Sequence, residues 1–255
     1  MKVATWNVNS VRVRLQRVLE WLDRHAPDVL CLQELRAREA DFPHAAFEGA
    51  GYHAAVFGQK TYNGVAVLSR TPLRNIRRGL GGNADDAEAR LVLAETEGVV
   101  VGSVYVPNGQ EVGSEKHAYK LEWLGRLRRL LDRDFTPGAP LILAGDWNVA
   151  RDDRDVARPE AWTASVLCDS GSRSGLEALI AWGLVDVFRE MHPDGGLYTW
   201  WDYRSLAFPR NDGLRLDSIL TTALLARRCT GSIIDREARK GEKPSDHAPV
   251  VAVFD

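Results

Sequence analysis

Short apolar runs that stop abruptly at polar residues recur along this chain, and stretches of helical spacing separate several of them. Val3 to Trp6 reads as a first strand running into Asn7-Val-Asn9-Ser10. From Val11 to Arg24 the set Val11, Leu15, Val18, Leu19 and Leu22 follows the period of an amphipathic helix, with Ser10 placed as its N-cap and Pro27 closing it. Asp28 to Glu34 is a second strand, apolar through its middle and ending in a carboxylate. Strand, helix and strand in that order make a parallel βαβ unit, whose chemistry gathers at the carboxyl ends of the strands. Asn7, Asn9 and Glu34 are therefore expected on one rim.

The next region is rich in strands. Tyr52–Phe57, Gly64–Ser69, Arg90–Ala94 and Val99–Tyr105 follow one another without intervening helices, which predicts antiparallel pairing; Glu97-Gly98 is the turn between the last two. Ser114 to Arg133 is a long helix with Tyr119, Leu121, Leu124, Leu127 and Leu131 on its apolar side. Leu141 to Ala144, introduced by Pro140 and ended by Gly145, is a buried strand delivering Asp146 and Asn148, which point the same way from extended backbone. Arg151 to Arg173 has weak patterning and reads as a long loop, of a length that often serves function, with a merely solvated surface as the alternative. Gly175 to Trp182 is helical, while Tyr198–Trp201 and Leu214–Leu220 are strand-like. Ser245-Asp246-His247 stands just before a final strand, Val251–Phe254.

Composition bounds this picture. A chain of 255 residues with 45% hydrophobic content can bury a sizeable core, and no shift in composition marks a linker, so 1–255 is expected to be a single domain. No apolar stretch is long enough for a membrane span, and Met1 leads into a strand without the long apolar region of a signal peptide, so the protein is expected in the cytoplasm, with the nucleoid if the source is bacterial. Cys31, Cys168 and Cys229 are few and far apart, as befits buried bystanders in a reducing compartment. The net charge of −2 decides nothing about a polyanionic partner, but 27 arginines against 6 lysines favour side chains that match phosphate geometry.

The strand mouths together carry Asn7, Glu34, Tyr105, Asn108, Asp146, Asn148, Asp217, Asp246 and His247. Oxygen donors with little imidazole and no thiolate favour a hard cation such as Mg²⁺ over zinc. The sequence has no Cys-x-x-Cys, no His-x-x-x-His pair and no Gly-x-x-x-x-Gly-Lys phosphate loop. Ser245, Asp246 and His247 make a poor hydrolase triad, because adjacent residues of an extended chain cannot face one another. An acid, amide and imidazole cluster around a divalent cation instead suits attack of water on a phosphodiester.

Eight segments in order resemble the exonuclease III family of abasic-site endonucleases, within the endonuclease/exonuclease/phosphatase superfamily. They are Thr5-Trp-Asn7-Val-Asn9, Leu32-Gln-Glu34, Gly64-Val-Ala, Tyr105-Val-Pro-Asn108, Gly145-Asp146-Trp-Asn148, Trp182-Gly-Leu-Val-Asp186, Gly213-Leu-Arg-Leu-Asp217 and Ser245-Asp246-His247-Ala-Pro-Val. The resemblance implies a DNase I-like four-layer α-β-β-α sandwich, two packed mixed sheets flanked by helices. It implies Glu34 as principal Mg²⁺ ligand, Mn²⁺ being able to substitute, with Asn9 and Asp246 near the ion and the wider metal set drawn from Asn7, Asp146, Asn148 and His247. Asp146 would activate water, Asn7 and Asn148 would hold it and the phosphate oxygens, and His247, oriented by Asp217, would stabilise developing charge. Tyr105 and Asn108 would complete the phosphate pocket. Asn9, Tyr62, Arg90, Asn108, Trp200 and Leu214 would contact DNA or wall the pocket for a flipped-out abasic sugar.

The implied activity is Mg²⁺-dependent incision of duplex DNA 5′ to abasic sites by a monomer, with 3′→5′ exonuclease action and cleaning of blocked 3′ ends. A phosphoinositide phosphatase of the superfamily and a catalytically silent DNA-binding protein are the alternatives. The chain departs from the family pattern at Ser10, where glycine is usual, at Arg36, where lysine is usual, and at Trp200 and Leu214, where some relatives carry phenylalanine and tryptophan.

Overall fold

The computed structural model describes residues 1–81 and 88–255; residues 82–87, in the gap ahead of Arg90 that the sequence fills with turn formers, lie outside that description. Its strands are β1 (Lys2–Asn7), β2 (Val29–Gln33), β3 (His53–Phe57), β4 (Val65–Ser69), β5 (Arg74–Arg78), β6 (Leu91–Thr96), β7 (Val99–Tyr105), β8 (Leu141–Asp146), β9 (Leu184–Asp186), β10 (Asp217–Thr222), β11 (Cys229–Ile234) and β12 (Val250–Phe254). The helices are α1 (Val11–His25), α2 (His44–Gly49), α3 (Glu115–Asp134), α4 (Pro159–Trp162), α5 (Ser170–Trp182), α6 (Val187–Met191), α7 (Ala207–Arg210) and α8 (Ala223–Ala226). One six-stranded sheet has the order β11-β12-β1-β2-β4-β3 and the other β5-β6-β7-β8-β10-β9. β1 and β2 pair in parallel, as do β7 and β8, and the remaining pairs are antiparallel. Among the described residues no helix is long and apolar enough to cross a membrane.

The central strands are apolar on both faces because both faces are covered. Val3, Cys31 and Val67 from one sheet meet Val101, Ile142 and Ile219 from the other, filling the space between the sheets. The opposite face of the first sheet, with Ala4, Trp6, Leu30 and Leu32, packs on Val18 and Leu22 of α1. The outer face of the second, with Leu91, Leu93, Leu141 and Leu143, packs on Trp123 and Leu127 of α3 and on Leu176 and Leu179 of α5. The four-layer α/β sandwich expected from the sequence is thus the one observed.

The two-residue period of a strand places the site. On β1 the residues sharing the inter-sheet face are Val3, Thr5 and Asn7; on β2 they are Val29, Cys31 and Gln33; on β7, Val101, Ser103 and Tyr105; on β8, Ile142, Ala144 and Asp146. Each series begins apolar and ends polar, and the start of antiparallel β10 brings Asp217 opposite Asp146. Just below the mouth, buried Gln33 donates to Thr5 Oγ1 at 3.0 Å and to Ser103 Oγ at 2.9 Å, and Ser103 donates to the carbonyl of Leu32 at 2.8 Å. This closed network stitches the two sheets together where the apolar core gives way to the site.

Several local expectations are revised. Gly145 does not end β8 but lies within it: a Cβ there would stand 1.9 Å from the carbonyl oxygen of Val104 on β7, so the approach of the two backbones demands glycine. Ser10 does not cap α1 with its side chain. It adopts φ 88°, in the region that favours glycine, and its N–H donates to the Glu34 carbonyl at 2.8 Å. Trp200 forms only isolated bridges, to Leu214 and His247, in place of a strand over Tyr198–Trp201, and β10 begins at Asp217. Glu97 and Gly98, at φ 50° and 76°, do form the tight turn between β6 and β7.

The 151–173 segment is the largest correction. It contains a 3₁₀ turn at Asp153–Asp155 and helix α4, and it buries Asp155, Val156, Val166 and Leu167. Its charged residues are partly internal, which a reading of polarity alone takes for solvation.

Candidate active site

Asn7, at the end of β1, joins two carboxylates. Its Nδ2 donates to Glu34 Oε1 and to Asp146 Oδ2, both at 2.9 Å, while its Oδ1 accepts the backbone N–H of Asn9 at 3.0 Å. Glu34 Oε1 also accepts the Tyr105 hydroxyl at 3.0 Å, and Oε2 accepts Arg36 Nη2 at 2.6 Å and Nε at 3.1 Å. Asp146 Oδ1 accepts the backbone N–H of Asn148 at 2.9 Å. Asn148 itself stands at φ 49°; its Nδ2 donates to the Val106 carbonyl at 2.9 Å and its Oδ1 accepts Asn108 Nδ2 at 3.2 Å.

His247 closes the arrangement from the segment before β12. Its Nδ1 lies 2.8 Å from Asp217 Oδ2, and its Nε2 faces Asp146 Oδ2 at 3.7 Å. Ser245 faces elsewhere: its hydroxyl donates to the Asn7 carbonyl at 2.7 Å and pins this segment to β1, so the adjacent Ser-Asp-His residues form no triad. Glu34, Asp146 and His247 each offer a ligand atom, and these atoms lie within 4.8 Å of one another, so the group can hold a metal ion. Two carboxylates and an imidazole, without thiolate, suit a hard cation. Asp246 is not part of that group. Its Oδ1 accepts Asn9 Nδ2 at 2.9 Å and its Oδ2 accepts Trp200 Nε1 at 3.0 Å, so it braces the rim.

Electrostatics follow from this crowding of buried groups. Burial, with the nearby Asp217 carboxylate, pushes the pKa of Asp146 up, against the opposing pull of His247. Burial disfavours a charged imidazole, but the carboxylates of Asp217 and Asp146 outweigh it and push the pKa of His247 up. Burial raises the phenol of Tyr105 well above its usual range, and Glu34 and Asp146 add to the effect. For Asp246, burial is outweighed by His247 and by the hydrogen bonds of Asn9 and Trp200, and its pKa is lowered.

The outer residues divide into two groups. Tyr62 is 69% exposed and lines a cleft of about 400 Å³ with Arg90, Tyr105, Asn108 and Lys116, immediately beside the buried cluster. Arg90 is largely buried: it donates to Glu88, and its guanidinium lies 5.0 Å from the centre of the Tyr105 ring. On the other side Trp200 meets Trp162 edge-on at 5.8 Å. Leu214 has 0% exposure and belongs to the apolar cluster against which Trp200 packs, so of the two expected roles, touching DNA or walling the pocket, its burial fits the wall.

A model of the endonuclease/exonuclease/phosphatase family matches residues 4–247. The chain belongs to that family. It is 33% identical over 266 aligned positions to exodeoxyribonuclease III of Haemophilus influenzae, with 100% of both chains covered, which puts it in the exonuclease III branch. Among solved structures it resembles an AP endonuclease from Archaeoglobus fulgidus (TM-score 0.97, 41% identity, 100% of this chain and 99% of that one). It is equally similar to the 3′ phosphatase NExo from Neisseria bound to a product DNA hairpin (TM-score 0.96, 42% identity, 100% and 99% covered). Within the family the chain is a hydrolase of the nuclease type.

Three groups around this nuclease site escaped sequence reasoning. Thr5 and Ser103 lie inside apolar runs, and Gln33 reads only as the polar end of one. Trp162 lies in the segment read as loop. Lys120 and His117 are buried on α3 in register with Leu124, Leu127 and Leu131, so their positions on the buried stripe were the available signal.

The 151–173 segment is tied down by a buried ionic hub. Asp155 accepts Arg215 Nε at 2.7 Å and Nη2 at 3.0 Å and also pairs with Arg189, while Arg215 Nη2 lies 2.8 Å from Asp186 Oδ2. Removing one member of a buried pair strands its partner's charge, so Asp155→Ala should cost about 3–5 kcal/mol. Equilibrium denaturation checks this; a loss below about 1 kcal/mol, the worth of a surface pair, would mean that the hub is solvated in solution.

Proposed function

We propose that this protein is a Mg²⁺-dependent DNA-repair phosphodiesterase that incises duplex DNA 5′ to abasic sites, and that the same site trims 3′ ends and clears 3′-blocking groups. The observation that carries this reading is the alignment of Asp146, held by Asn7 and by the backbone of Asn148, against His247, held by Asp217. Asp146 accepts a proton from the attacking water. His247, in its charged form, with Asn148 and Asn108, stabilises the charge that builds on the phosphate oxygens. The new O–P bond forms as the P–O3′ bond breaks, and the leaving O3′ takes a proton from solvent to become the 3′-hydroxyl. Incision, exonucleolytic trimming and 3′-phosphate removal all break that same bond, so one site suffices for all three.

Glu34 and Asp146, with Asn7 beside them, would hold the cation, whose chemistry is to polarise the phosphate and lower the pKa of water, while His247 in its charged form stands off it on the phosphate side. Mn²⁺ should substitute. Tyr62, Arg90 and the Trp200 wall flank the reacting phosphate on the DNA side, and residues 1–255 act together as one monomeric, cytoplasmic unit. Likeness to both an AP endonuclease and a 3′ phosphatase supports DNA as substrate and makes 3′-end specialisation the second reading.

The test is an incision assay on duplex DNA with one central abasic analogue, run beside a 3′-phosphate end and a phosphoinositide, each with and without Mg²⁺. Mg²⁺-dependent incision 5′ to the lesion is expected. Release of 3′ phosphate with an intact abasic strand would replace the first reading by the second, and turnover of the phosphoinositide alone would remove both.

A further inference from the structure

Lys120 is 0% exposed, yet it lies on a helix whose buried face is otherwise mostly apolar. Its ammonium donates to three backbone carbonyls: Val166 at 2.5 Å, Asn148 at 2.7 Å and Asn108 at 3.2 Å. An ammonium has three N–H donors, so all are used, and no carboxylate is among its hydrogen-bond partners in the described residues. The three carbonyls lie at three places on the chain: after β7, directly after β8, and farther along that second connection, in the 151–173 segment. Each segment forms part of the site's mouth. Gly109, at φ 93°, makes room for the lysine stem, since a Cβ there would meet Lys120 Cδ at 3.0 Å.

Resting on the phosphodiesterase reading above, we propose that Lys120 is a positioning residue that sets Asn108 and Asn148 against the reacting phosphate by gripping their main chains. Asn148 is then held at both ends, its carbonyl by Lys120 and its amide by the Val106 carbonyl. The Asn108 side chain is held in turn by Asn148 Oδ1. Neither asparagine sits in regular secondary structure, so without the ammonium nothing in the helix or sheet ladders fixes their carbonyls. The Lys120 ammonium, reaching from α3, joins the three carbonyls at one point. The carbonyl of Val166 adds the segment whose Trp162 meets Trp200 edge-on, so the same atom relates the phosphate side of the site to its pocket side.

Lys120→Met keeps the stem and removes every donor. Single-turnover cleavage at saturating enzyme should fall about 10–100-fold, the usual effect of misplacing a reacting geometry by about an ångström. DNA affinity measured in Ca²⁺ should change less than about threefold, because the charged groups facing DNA are untouched. The deciding measurement is a cycle with Asn148→Ala. Asn148→Ala also frees the Asn108 side chain, so if Lys120 acts through the two asparagines the double variant cleaves no more slowly than Asn148→Ala alone. Losses that multiply, or an unchanged rate in Lys120→Met, would overturn the proposal. Should the methionine variant fold poorly, Lys120→Gln retains two N–H donors; it should lose less activity than Asn148→Ala and show the same non-additivity, and multiplying losses there overturn the proposal equally. The cycle is read on whichever phosphodiester the wild-type enzyme cleaves. Failure of abasic incision therefore counts against the proposed substrate, and failure of the cycle counts against Lys120.

Discussion

Asp146→Asn should abolish most cleavage while leaving the DNA complex intact or tighter. Proton abstraction by a positioned base contributes typically about 10²–10⁴-fold, and asparagine cannot take a proton from water. A second loss adds to the first. Asp146 supports the charged form of His247 across 3.7 Å, and a neutral amide withdraws that support. Affinity runs the other way, because a buried carboxylate facing the scissile phosphate repels it. Asparagine has a structural cost as well. Both Asp146 oxygens accept N–H groups, from Asn148 on one side and Asn7 on the other, so an amide nitrogen meets a donor in either orientation. A thermal melt separates that cost from catalysis. On one abasic duplex, affinity in Ca²⁺ or EDTA and single-turnover incision in Mg²⁺ are then compared. Lost affinity with an unchanged chemical rate would reduce Asp146 to a turn residue.

Much of this site was legible because strand chemistry is local. Asn7, Glu34, Tyr105 and Asp146 stand where apolar runs end and Asp217 where one begins, and alternation of side chains turns a sequence position into a face. That they share one mouth follows from parallel β1–β2 and β7–β8, with β10 entering from the opposite direction. What the sequence hid was long-range. Gln33 reads as the polar end of a strand, and only the packing of the two sheets shows that it reaches Ser103. Asp155 looks like one acid among many in an Arg-rich and Asp-rich segment, and its burial depends on Arg189 and Arg215 lying far ahead in the chain. Leu214 matched a wall position by motif, and only the packing shows that it is fully buried in the cluster behind Trp200. β5 escaped notice because every residue of Arg74–Arg78 is exposed on an edge strand, which leaves no apolar alternation to read.

Glu34→Gln should raise the Mg²⁺ requirement steeply and lower cleavage by orders of magnitude with little damage to the fold. In the wild type, Oε1 accepts from Asn7 and Tyr105, bonds that the glutamine carbonyl oxygen can keep. The other oxygen pairs with Arg36, whose side chain is 41% exposed, so the pair contributes at most about 1 kcal/mol to stability. The cation loses far more, because a negative charge is removed from a group of only two carboxylates and an imidazole. Changes to outer-shell partners alone typically cost about 10–100-fold in metal affinity, so loss of an anionic ligand should exceed that range. Mn²⁺ titration without DNA reads the affinity directly, and incision against Mg²⁺ concentration reads its consequence. Arg36 makes the outcome sharper: once Glu34 is neutral, its guanidinium is an uncompensated cation beside the site and opposes metal entry further. Glu34→Gln with Arg36→Ala should therefore recover part of the lost Mn²⁺ affinity. Wild-type cleavage by Glu34→Gln at limiting Mg²⁺ would remove Glu34 from the metal site altogether.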